Sequence, residues 1–186
     1  MIKNKIKNVL VVLGGVSGER TVSLDSGRAC IKALKKKNYN VSKFDPKFKN
    51  LNLIDKNKVD IIFNALHGKD GEDGVAQSYF EYLKIPYTHS GVISSYNSMN
   101  KVISKELFLK NRIKTPKFFT LTKADYNKEK LIKNIMKEKI NYPIVVKPIN
   151  EGSSIGVKVC KNQKILIKIT KKLFKNYDEL IFEEYI

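Results

Sequence analysis

Residues 9–13 form a continuous apolar run that stops at Gly14-Gly15, which predicts a buried parallel-sheet strand feeding a loop. Residues 23–37 then place Ala29, Cys30, Ala33 and Leu34 on one side, predicting a helix with Ser23 as its N-cap. Residues 39–44 alternate as a second strand, ended by Asp45-Pro46. Residues 59–66 read as another buried strand, followed by a glycine-rich loop at 67–74 and a short helix over 75–83. This β-α-β-loop-α order predicts a small doubly wound α/β sheet, in which ligands gather beyond the C-terminal ends of the strands. Both glycine-rich loops lie there.

The texture changes after Gly91, and a domain boundary is placed near residue 95, dividing the chain into 1–95 and 96–186. A helix is expected over 101–111, a break at Pro116, an extended segment over 118–121 and a lysine-rich amphipathic helix over 128–139. A strand at 144–147 runs through Pro148 into a loop at 150–156, and a strand at 157–159 continues that hairpin. A helix over 163–174 and a strand over 180–184 complete the pattern.

Charge and cysteine content narrow the classes of function. The net charge of +18 points, taken alone, toward nucleic acid or an anionic membrane. The lysines are instead spread over the whole chain in mixtures with Asn and Ile, and arginine stands only at 20, 28 and 112. Readers of bases and phosphates favour arginine's bidentate fork, so solvated helix faces account better for the lysines and no nucleic-acid partner is expected. No run approaches the roughly 20 apolar residues of a membrane span, and the apolar stretch behind the basic residues 1–8 is too short for a signal peptide. Cys30 and Cys160 are far apart without metal-ligand spacing, which fits a reducing cytoplasm.

Three loops carry candidate chemistry. Lys147 closes a buried strand, where a desolvated ammonium seeks an anion, and Gly152, Ser153, Ser154 and Gly156 follow with backbone N–H groups and hydroxyls that could fold over phosphates. The lysine precedes the glycines, so this is not a Walker loop, and a plain tight turn stays open as the alternative. At residues 14–20, Glu19 and Arg20 are candidate fixed charges at a site mouth, with Glu19 able to hold an ammonium; a solvated turn is the other reading. The loop at 67–74 joins His67 to Asp70, Glu72 and Asp73, whose spacing is not that of an EF-hand or a catalytic divalent site. His89 reads as a surface or packing residue.

Taken in order, LGGVSGERTVSLDSG, NALHGKDGEDGVAQ, YTHSGVISSYNSMNK, PIVVKPINEGSSIGV and LIFEEYI resemble the D-alanine:D-alanine ligases of the ATP-grasp superfamily over the whole chain. Asn100 stands where that family usually has Asp. The resemblance implies a Rossmann-like substrate domain followed by the first, nucleotide-binding ATP-grasp subdomain. It implies a cytoplasmic enzyme of peptidoglycan synthesis, able to form a homodimer, in which ATP phosphorylates one D-alanine and a second attacks the acyl phosphate. By motif match, Glu19 would hold the first D-alanine's ammonium with His67 near its carboxylate. Lys101 and Lys147 would contact ATP phosphates, with Gly152, Ser154 and Gly156 closing over them and Ser153 linking that loop to Glu19. Glu183 would accept from the adenine amino group, Tyr185 would pack on the ring and Ile186 would offer a backbone contact.

The same resemblance implies a further ATP-grasp subdomain, with Mg2+ or Mn2+ ligands and a second-substrate site, that has no counterpart in these residues. The expectation is therefore a chain with little or no turnover of its own. A non-catalytic module gripping nucleotide or D-alanine is the alternative, and D-lactate or D-serine as second substrate stays open.

Overall fold

The structure is a computed structural model that describes residues 6–186; the first five positions of the basic stretch at 1–8 lie outside the described residues. The chain divides into two compact units, the first ending at Asn97 and the second spanning Ser98–Ile186.

In the first unit, β1 (Asn8–Val12) lies between β2 (Asn40–Phe44) and β3 (Ile61–Asn64), all parallel. Successive strand side chains point to opposite faces. Val9, Val11 and Leu13 therefore pack with Leu24 and Ile31 of α1 (Arg20–Lys36), whereas Leu10 and Val12 pack with Ala76 and Phe80 of α2 (Val75–Tyr82). Burial on both faces leaves no polar alternation, which explains the unbroken apolar run. The unit closes with α3 (Val92–Met99), which runs across the division between the units. Helix α1 crosses β1 so closely that a Cβ on Gly27 would lie 2.7 Å from the Leu13 Cβ.

One local expectation fails here. Helix α1 starts at Arg20, with Glu19 in the capping position, so Ser23 is not its N-cap. Ser23 is buried inside the helix, where its Oγ donates to the Ala65 carbonyl at 2.6 Å and accepts from the Gly14 N–H at 2.8 Å. A hydroxyl can do both at once, and here it ties the first turn of α1 to the chain leaving β1 and β3.

The second unit contains α4 (Lys101–Lys110), β4 (Phe118–Thr122), α5 (Lys128–Glu138), β5 (Ile144–Pro148), β6 (Lys158–Cys160), α6 (Gln163–Leu173) and β7 (Glu179–Glu184). The strands form an antiparallel sheet in the order β4-β7-β5-β6. One face is apolar: Phe119, Leu121, Ile144, Val146, Leu180 and Phe182 pack against Leu131 and Ile135 of α5 and Leu166 and Leu173 of α6. Asparagines cap the helices, Asn100 accepting from the Val102 and Ile103 N–H groups, Asn127 from Lys130 and Asn162 from Ile165. Asn100 thus does capping work that an Asp could do equally well.

Alternation sends Phe118, Val145, Lys147 and Glu183 to the opposite face. Pairing places Glu183 between Phe118 and Val145 and sets Lys147 beside Ile181. Lys147 and Glu183 are then diagonal neighbours on one face, within reach of long side chains. Among the described residues, no helix is long and apolar enough to cross a membrane.

Candidate functional site

In the first unit the loops beyond β1 and β3 meet. Ser17 Oγ donates to the His67 carbonyl at 2.7 Å and accepts from the Glu19 N–H at 3.2 Å. Glu19 is buried, and its carboxylate lies so close to Gly68 that a Cβ there would fall 2.6 Å from Oε2. The His67 ring is 3.0 Å from Ser26 Oγ through Nε2 and 3.6 Å from Glu72 Oε1 through Nδ1. A cavity of about 290 Å³ is lined by Gly14, Gly15, Ser17, His67, Lys69 and Asp70 among others. The structure therefore brings Glu19 and His67 into one loop cluster around Ser17.

Arg20 does not stand as a charge at that mouth. Its guanidinium forks onto Asp45, at 3.0 Å to Oδ1 and 2.8 Å to Oδ2, and donates to the Gly15 carbonyl at 2.7 Å. Burial alone would raise the Asp45 carboxyl. Hydrogen bonds from Arg20 and from the Lys47 and Gly15 N–H groups outweigh burial and hold it below the usual carboxylate range. Two acids of the loop at 67–74 are likewise spent on backbone: Glu72 accepts from Gly68 N–H at 2.7 Å, and Asp73 from the Asp70 and Val75 N–H groups. Buried Asn64 and Gln77 both donate to the Gly71 carbonyl, fixing the loop from beneath. His89 is exposed, with Nδ1 3.2 Å from the Asn64 amide nitrogen.

In the second unit, side-chain charges converge. Glu183 is buried, with Oε1 2.9 Å from Lys105 Nζ and Oε2 in contact with Lys147 Nζ. The carboxylate expected to meet an adenine amino group thus carries two ammonium partners in this structure. Lys101 Nζ donates to the Ile149 carbonyl at 3.3 Å and to the Glu151 carbonyl, while its own N–H donates to Ile149 at 3.0 Å. Burial pushes the Lys101 ammonium below the usual lysine range and the Lys147 charge adds to this, against smaller opposition from Glu151 and Glu183. A half-buried cation beside a second cation is a site that an anion would relieve.

The loop at 150–156 that follows is made of tight turns, Ile155 N–H donating to Gly152 at 2.9 Å and Val157 N–H to Ser154 at 3.2 Å. Ser153 and Ser154 adopt left-handed backbone, with φ of 46° and 59°. Such conformations cost about 1–3 kcal/mol each and cluster at ligand clamps. Gly156, at φ 74°, lets the chain fold back on Pro148, whose Cδ would lie 2.8 Å from an added Cβ. Beyond β7, Tyr185 and Ile186 are exposed.

A lysine at the end of a central strand, a small-residue loop behind it and, in the other unit, glycine loops at the ends of parallel strands are features to set beside known proteins. A family model described as D-ala D-ala ligase N-terminus matches residues 42–90, and one described as D-ala D-ala ligase C-terminus matches residues 107–186. The chain belongs to the D-alanine–D-alanine ligase family. It is 47% identical over 182 residues to a D-alanine–D-alanine ligase of Pelagibacter ubique, covering 97% of this chain and 58% of that relative. The D-alanine–D-alanine ligase of Wolbachia pipientis wMel is 39% identical over 181 residues, covering 97% and 55%. The crystal structure of the Bacillus anthracis D-alanine–D-alanine ligase complexed with ATP superimposes with a TM-score of 0.83 at 36% identity, over 97% of this chain and 59% of that one. The chain thus spans a little over half the length of the relatives it matches.

Within this family frame, two structural partners stand outside the motif blocks. Lys105 lies one helical turn after Lys101 on the same side of α4, and that i, i+4 spacing is a signal the sequence does carry. Asp45 carries no comparable signal, since an Asp-Pro pair reads first as a strand end.

Proposed function

We propose that these residues provide the nucleotide-phosphate and first-substrate groups of an ATP-dependent D-alanine:D-alanine ligase. The observation that carries the reading is the convergence of Lys101, Lys147 and buried Glu183 beside the turn-rich loop at 150–156. In this reading Lys101 and Lys147 take charge from the ATP phosphates, and Gly152, Ser153, Ser154 and Gly156 cover them. Glu183 accepts from the adenine amino group, Tyr185 packs on the ring, and the Ile186 backbone contacts it.

In the first unit, the roles are those of substrate positioning. Glu19 holds the ammonium of the first D-alanine, and His67, oriented by Ser26 and Glu72, faces its carboxylate. Phosphoryl transfer to that carboxylate and attack by a second amine need charge neutralisation at the transferring group and exclusion of water from the acyl phosphate. Cationic side chains and loop amides supply the first requirement in part. Among the described residues no group of three or more His, Cys, Asp or Glu is placed to hold a metal ion. Cytoplasmic peptidoglycan synthesis and a homodimer belong to the same proposal.

A chimera tests it. Residues 1–186 replace the matching part of the Pelagibacter ligase, and ADP and D-alanyl-D-alanine are measured together. Joint formation of both, lost on Lys147→Met, is expected. A folded chimera that makes neither product while the parent ligase makes both would sink the proposal. Supplying D-lactate or D-serine in place of the second D-alanine reads acceptor choice, and the chain alone, assayed in parallel, separates binding from turnover.

A further inference from the structure

Lys147 faces two demands that conflict. Its ammonium is in contact with Glu183 Oε2, yet a nucleotide phosphate would require the same ammonium. If Lys147 were the only cation at Glu183, turning to phosphate would leave a buried carboxylate without a counter-charge, which is costly. Lys105 removes that conflict. Its Nζ lies 2.9 Å from Glu183 Oε1, on the oxygen that Lys147 does not use. The Lys105 side chain is only 9% exposed, and its position is fixed independently of Glu183. Nζ donates to Thr115 Oγ1 at 2.6 Å and to the Pro116 carbonyl at 3.0 Å, and it sits 4.9 Å from the centre of the Phe118 ring. Phe118 is itself the β4 residue paired with Glu183, so the sheet register holds ring, carboxylate and ammonium together.

We propose that Lys105 is a positioning residue, the standing counter-cation of Glu183 that frees Lys147 to engage a nucleotide phosphate. The inference rests on the nucleotide-binding reading above for its consequence, but not for its geometry. Lys105 itself touches no substrate in this account and acts through Glu183 and Lys147.

Two readouts on the intact chain test it. The first is the rate at which Lys147 is labelled by reductive methylation, read by mass spectrometry without any ligand. Lys105→Met leaves Lys147 as the one ammonium on Glu183, so its labelling is expected to slow about threefold, an effect in the range of contacting pairs. In the Lys105→Met, Glu183→Gln double variant that slowing disappears. The second is binding of inorganic triphosphate, which has no adenine to contact Glu183. Lys105→Met is expected to weaken it about tenfold, and the double variant to return to the affinity of Glu183→Gln alone.

A merely structural lysine would leave Lys147 labelling unchanged, or give a deficit that Glu183→Gln does not relieve; either result overturns the proposal. If Lys105→Met does not fold, Thr115→Val removes the hydroxyl from the Lys105 ammonium and is expected to slow Lys147 labelling by a smaller factor, with no slowing counting against the proposal. A wild-type chain that binds no triphosphate while the labelling pattern holds would defeat the nucleotide reading and leave the role of Lys105 at Glu183 standing.

Discussion

The two units handle charge in opposite ways. In the first, ionic groups are spent on backbone: Arg20 and Asp45 brace the Gly15 turn, and Glu72 and Asp73 satisfy N–H groups of their own loop. In the second, the ions face one another beside a sheet, where Lys105 and Lys147 share the carboxylate of Glu183 and half-buried Lys101 lies close by. On the proposed reading, the first arrangement is the one that holds the small zwitterion. The second has more cations than anions, which on the proposed reading suits it to a polyanion. Loops and sheet thus divide the work between shape and charge.

The largest effect should come from unbalancing the second unit. Glu183→Ala leaves Lys105 and Lys147 without their anion, and removal of one partner of a buried pair costs about 3–5 kcal/mol. Thermal unfolding is expected to show that loss in Ser98–Ile186 with the first unit's transition unmoved, and an unchanged second transition would break the contrast drawn here. Next is Gly27→Val, which forces a side chain into the 2.7 Å approach of α1 to Leu13. Overpacking of this kind costs about 1–3 kcal/mol, read as a lowered first-unit Tm.

Smaller and more local effects sharpen the comparison. Asp45 is held below its ordinary value, so its contribution is present above the unfolded carboxyl value of about 3.9 and is lost as pH falls through the folded value. Asp45→Asn is expected to lower the first-unit Tm by a few degrees at pH 7 and to make little difference in strong acid. Gly68→Ala, at φ 69° and 2.6 Å from Glu19 Oε2, should shift the Glu19 carboxylate and weaken D-alanine binding while leaving nucleotide binding alone. Calorimetry with each ligand checks that separation.

Much of this architecture was legible because its causes are local. The run at 9–13 is apolar since β1 is covered on both faces, and the helix over 128–138 turns one apolar stripe to the sheet, as its amphipathic pattern implies. The glycine-rich loops were legible through glycine placement and the resemblance their order carries. What escaped depends on partners distant in sequence. Ser23 reads as a cap because serine favours caps, yet two backbone groups at strand ends claim its hydroxyl. Arg20 reads as a fixed charge at a site mouth until Asp45 is seen folded against it, 25 positions along the chain. Lys105 lies 78 positions from Glu183, and only the register of β4 with β7 and the reach of α4 bring them together.

The measurement that tests the account most directly is calorimetric ATP binding by the intact chain, compared between wild type and Lys147→Met. Saturable binding that weakens by about tenfold or more in the variant, in keeping with the loss of a charge-assisted contact to phosphate, is the predicted result. Binding of equal strength in both proteins, or none in the folded wild type, would contradict it.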